Sequence, residues 1–138
     1  MIQRIQSVYL LVGSVLLLVM MFFDSLAEST AAALLSWYIP TVLVTTGLAA
    51  AAALVAIFLY KDRPKQSKVV LGAQLLVLVC MIALYGGIYL AGDSLLVVES
   101  VEHALLLLLP ILAYIQFFLA RSSIRKDIEL IKSMDRLR

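Results

Sequence analysis

Glu99, Glu102 and His103 stand at i, i+3 and i+4, a spacing that aligns all three on one face if the helix around them already includes residue 99. Two carboxylates and an imidazole so placed are a donor set for a divalent cation or a proton, and Asp93, Asp24 or Glu28 can add oxygens. The competing reading is that acids beside a helix N-terminus favour its dipole and mark a membrane interface. That plainer reading is the expectation, with no metal and no cofactor. Gln74 and Gln116 are the other polar pair. Gln74 lies six residues after Lys68 and Gln116 five before Arg121, which puts both roughly 8–9 Å inside an apolar layer. A hydrogen bond between them is expected; the rival is a polar substrate path. Ser14, Thr45 and Thr46 are expected to bond carbonyls of their own helices.

Other chemistry is sparse. Cys80 is the single cysteine, so there is no intrachain disulfide and no thiolate cluster. No glycine-rich phosphate loop, zinc-helix motif or nucleophile motif occurs. An enzyme is not expected.

The elements that position these residues are apolar runs. The chain has 138 residues, 64% hydrophobic and 14% charged, against about half and a quarter for a soluble domain. A mean hydropathy of +1.07 concentrated in blocks of about 20 residues points to an integral membrane protein. Four spans are predicted, at residues 5–23, 38–60, 69–91 and 101–120. Trp37 and Tyr38 mark an interface before the second span. Gly47/Ala51, Ala49/Ala53 and Ala52/Ala56 give that span small-xxx-small rows, read as packing inside the molecule, with a homodimer seam as the alternative. Ala83, Gly87 and Ala91 repeat the pattern in the third span, and Gly92 suits a helix end. Pro110 interrupts the fourth span and predicts a kink, because it leaves the Leu106 carbonyl without its N–H. Residues 122–138 read as an amphipathic basic helix in which Ile124, Ile128 and Ile131 recur on one side. Arg125 and Glu129 are spaced for an i,i+4 pair.

Charge decides the topology. Arg4 precedes the first span, a short loop with Lys61, Arg63, Lys65 and Lys68 separates the second from the third, and Arg121, Arg125 and Lys126 open the tail. With four spans every Lys and Arg falls on one side. The opposite loops hold Asp24, Glu28, Asp93, Glu99 and Glu102 and no base. The positive-inside rule then places both termini in the cytoplasm. The fold expected is all-α: a four-helix transmembrane bundle over residues 1–121, with the amphipathic helix 122–138 beyond it. The first span is expected to be retained rather than cleaved as a signal peptide, since its apolar run is long for one.

The two ends of the chain also carry a resemblance. Met1 to Leu11 (MIQRIQSVYLL) resembles the opening of the bacterial four-span family called domain of unknown function 4293, and residues 124–127 with 133–138 (IRKD, SMDRLR) resemble its close. The resemblance implies a multi-pass protein of the bacterial inner membrane and brings no catalytic or binding residues. The expected role is a non-enzymatic interaction or accessory subunit. Its basic rim would meet anionic lipid and a membrane-protein partner or a second copy, with no nucleic acid. The alternatives are a small transporter or channel component using Gln74, Gln116 and Pro110, and metal or pH sensing through Glu99, Glu102 and His103.

Overall fold

The computed structural model describes residues 2–92 and 100–136, apart from the side chains of residues 2–4, 25, 135 and 136. Six helices follow one another: α1 (Ile2–Met20), α2 (Asp24–Ala27), α3 (Thr30–Leu34), α4 (Tyr38–Phe58), α5 (Arg63–Leu90) and α6 (Val101–Arg136). There is no strand among the described residues. Helices α4, α5 and α6 are long and apolar enough to cross a membrane, and α1 offers a shorter apolar stretch, Ile5–Met20.

The four long helices close into a ring. α1 packs on α4 and α6, and α5 packs on the same two. The chain thus visits the corners in order, as short connections between antiparallel neighbours require. α2 touches α6, and α3 touches α4 and α5, so the short helices sit over one end. Outside the ring, Val15, Leu48, Val55, Leu75, Ile82 and Ile115 are all exposed. An apolar exterior of this kind is unfavourable in water and suits hydrocarbon.

Local chemistry sets the helix ends. The Ser29 hydroxyl accepts the Ala32 N–H at 3.2 Å and starts α3. Asp62 caps α5, accepting the Lys65 N–H at 3.3 Å. Pro64 occupies the first turn, where a missing N–H removes no bond. Arg63, Lys65 and Lys68 are therefore helical, although the basic segment reads as a loop. Gly92 leaves α5 with φ +80°, the left-handed turn that glycine adopts without strain.

The interior has two parts. One gathers Leu10, Leu17, Ala49, Ala53, Ala56, Val70, Val77, Ala113, Phe117 and Ile124. The other gathers Met20, Leu26, Tyr38, Val42, Leu84, Ile88 and Leu106. Ala49, Ala53 and Ala56 are fully enclosed, which lets α4 approach its neighbours closely. Ala51 faces outward. Two glycines are contact points. A Cβ at Gly13 would overlap the Phe117 ring, and one at Gly87 would overlap the Tyr38 ring. Tyr38 is accordingly buried, while Trp37 is exposed beside it. The sequence pairs them as interfacial aromatics, but only one can lie on the bare backbone of Gly87.

α6 does not stop at the end of its apolar run. Its 36 residues continue through Pro110 and past Arg121, a length of about 54 Å. Ile124 is fully buried, and Ile128 packs against the same core. The first turns after Arg121 therefore rest against the bundle, whereas Ile131 and Met134 are exposed.

Candidate functional site

Asp127 is a buried carboxylate with partners on two other helices. It lies three residues after Ile124, on the inner face of α6, and is 4% exposed. Gln6 of α1 donates its side-chain amide to Asp127 Oδ2 at 2.5 Å. Arg63 Nη1, at the start of α5, lies 3.2 Å from the same oxygen. A carboxylate withdrawn from water needs such partners, because desolvation costs several kcal/mol (on the order of 1–3 even for a neutral polar group). Nearby in sequence, Gln66 is buried and donates its amide to the Ala56 carbonyl at 2.9 Å. That carbonyl belongs to the last turn of α4 and also accepts the Leu59 N–H at 3.3 Å, so Gln66 adds a second donor where the regular helical ones end. Two glutamines, one aspartate and one arginine thus join the start of α1, the α4–α5 turn and the distal part of α6.

This junction gathers cations. Lys61, Lys65 and Lys68 lie exposed on the α4–α5 side and Arg125 and Lys126 on the α6 side. Arg63 is committed to Asp127 and Lys65 to Asp62, with Lys65 Nζ 2.8 Å from Asp62 Oδ2. The Lys65 ammonium and its backbone N–H hold the Asp62 carboxyl below the usual aspartate range, and Asp62 raises Lys65 in turn. Arg125 and Glu129 form no ion pair among the described residues. The Arg4 side chain lies outside the described residues.

Gln74 and Gln116 are not joined. Among the described residues, neither Oε1 has a hydrogen-bond partner, and both atoms are buried. Gln74 is buried on α5, and the Gln116 Cβ lies 3.3 Å from where a Cβ at Gly13 would stand. Gln116 therefore leans toward α1, which similar depth alone does not reveal.

Pro110 has a neighbour that the sequence reading did not pick out. The Tyr85 hydroxyl of α5 donates to the Leu107 carbonyl at 2.6 Å, one residue along from the carbonyl that Pro110 leaves without an N–H. Ser14 donates to Leu11 O at 2.8 Å and Thr45 to Thr41 O at 2.7 Å, as expected. Thr46 instead lies 3.1 Å from Cys80 Sγ, both buried.

At the opposite end, Glu99 and Asp93 lie outside the described residues. The Ser100 hydroxyl accepts the His103 N–H at 3.1 Å, which caps α6. Glu102 is exposed in its first turn. Among the described residues no three His, Cys, Asp or Glu side chains converge as a metal site.

Asp127 and Gln6 sit near the two ends of the chain, and comparison with known sequences spans the same extent. Residues 2–137 match the family described as Domain of unknown function (DUF4293). The chain belongs to the DUF4293 family. No curated protein and no solved structure matches it. The match covers all three segments that meet at Asp127, so the junction lies within the DUF4293 domain. The signals for it in the sequence are Asp127 on the same helical face as Ile124 and Ile128, and Gln6 one turn before Leu10.

Proposed function

We propose that this DUF4293 protein is a non-enzymatic interaction or accessory subunit of the bacterial inner membrane. It would cross four times, with both termini in the cytoplasm. The bacterial membrane is what the resemblance at its two ends implies. The fourth crossing would be α1, whose 19 residues reach about 28 Å, close to a hydrocarbon core of about 30 Å. The carrying observation is the junction at Asp127, which ties the start of α1, the start of α5 and the distal part of α6 together. With those segments at one end, Lys61, Arg63, Lys65, Lys68, Arg121, Arg125 and Lys126 belong to one aqueous side, and positive-inside makes that side cytoplasmic. The exposed cations and the exposed Leu130, Ile131 and Met134 would form the contact face, for anionic lipid and for a membrane partner or a second copy.

The test is a crosslinked pull-down from native membranes. The wild type is expected to recover a defined partner, and Lys126→Glu with Lys132→Glu to lose it while keeping its melting temperature. Equal recovery by both proteins rejects the reading. A cysteine placed at Ser67 should label from the cytoplasmic side only.

A second reading, a transporter or channel component, is favoured by the buried, unpartnered carbonyl oxygens of Gln74 and Gln116. It predicts solute flux in liposomes that Gln116→Leu abolishes. Flux without such a loss would count against it.

A further inference from the structure

One face of α6 changes character within a single turn. Leu108, Ile111, Ile115 and Phe118 follow at spacings of three and four residues and are all exposed. The same face continues with Ser122, Arg125 and Glu129, as the 3.6-residue period requires. At the change there is a cavity of about 290 Å³ lined by Phe118, Arg121, Ser122, Arg125, Lys126 and Glu129. None of its three cations has an ion-pair partner among the described residues. The Arg121 Nε is also buried without a hydrogen-bond partner. A cationic groove with an unused donor, below a strip of exposed apolar side chains, fits an amphipathic anion.

We infer that this groove binds one anionic phospholipid, its phosphate among Arg121, Ser122 and Arg125 and an acyl chain along Phe118, Ile115 and Ile111. Guanidinium groups suit phosphate oxygens because their planar forks donate two parallel hydrogen bonds. Lys126 adds charge at the rim. Glu129 disfavours a second negative charge at the far end and can accept from a hydroxyl beyond the phosphate. A phosphodiester with a hydroxylated headgroup therefore fits better than a phosphomonoester dianion. The inference rests on the chain spanning a membrane with this end in the headgroup layer.

The test is native mass spectrometry of the full chain taken from nanodiscs of phosphatidylcholine doped with phosphatidylglycerol or phosphatidic acid. Retention of one phosphatidylglycerol at least tenfold above phosphatidylcholine is expected, with phosphatidic acid weaker. Arg121→Gln with Arg125→Gln should remove the preference, and Glu102→Gln, in the first turn of α6 and far from the groove, should keep it. Arg125→Glu alone, at an exposed position, should also remove it and serves if the double variant fails to insert. Added glycerol phosphate should not compete; competition at millimolar levels would overturn the lipid as the ligand. Insertion with no lipid preference, or a preference kept in both groove variants, overturns the site while leaving the membrane reading intact. Failure of the wild type to insert into any nanodisc rejects the membrane reading and the groove with it.

Discussion

The Tyr85 hydroxyl meets the Leu107 carbonyl across the α5–α6 contact, 2.6 Å from donor to acceptor. The acceptor is one residue past the Leu106 carbonyl that Pro110 leaves without an N–H, so the neighbouring helix adds a side-chain bond beside the proline rather than replacing the lost one. Tyr85→Phe removes that donor and nothing else. Interhelical hydrogen bonds in membrane proteins average about 0.6 kcal/mol and reach about 1.7. A loss within that range is expected in chemical denaturation.

Gly13 and Gly87 predict a packing limit. A Cβ would meet Phe117 at the first and Tyr38 at the second, whereas Gly72 and Gly86 have open space. Gly13→Ala and Gly87→Ala should each destabilise by about 1–3 kcal/mol, the usual range for overpacking. Gly72→Ala and Gly86→Ala should be neutral or slightly stabilising, since alanine is the better helix former. Adding Phe117→Leu to Gly13→Ala should recover part of the loss. Thermal unfolding in detergent reads all of these.

Asp127→Ala leaves the Gln6 amide and the Arg63 guanidinium without their shared acceptor. Arg63 is partly exposed, so water takes up some of its charge and moderates the cost. A loss of about 1–3 kcal/mol is expected, as for a buried group deprived of its hydrogen bond. Limited proteolysis should cut α6 faster beyond Arg121 in this variant than in the wild type. A double-mutant cycle with Gln6→Ala should show coupling, because both side chains act at one oxygen.

Asp62 predicts a pH dependence. Its carboxyl titrates below 3.8 in the folded chain, held down first by the Lys65 side chain and then by the Lys65 N–H. A depressed acid contributes stability above its unfolded value and loses it as pH falls through the folded one. Asp62→Ala should therefore unfold at lower temperature than the wild type at pH 6. The gap should close as pH drops below 3.8. An undiminished gap at acid pH would show that the carboxylate charge is not what stabilises the start of α5.

Much of the fold is legible in the residues because solvent dictates it. The runs beginning near Tyr38, Val69 and Val101 are too apolar to be anything but buried or lipid-facing helix, and Gly92 ends α5 where glycine tolerates positive φ. Boundaries are less legible where polarity and helicity part company. The basic segment after Tyr60 looks like a loop, yet it holds an N-cap and a first-turn proline and is helical from Arg63. Likewise the polar stretch after Arg121 reads as a separate tail, while α6 runs through it without a break.

The candidate site divides in the same way. Composition and a 3.6-residue period suffice for the apolar blocks, the segregation of Lys and Arg and the inward stripe of Ile124 and Ile128. Tertiary structure alone decided that Asp127 receives Gln6 and Arg63, that Gln66 closes α4, that Tyr85 reaches Leu107 and that Gln74 and Gln116 stay apart. Each of those depends on how far neighbouring helices are rotated about their axes. That rotation is set by which glycine admits which ring, Gly13 under Phe117 and Gly87 under Tyr38, and periodicity along one helix carries no information about the ring that a neighbour will present.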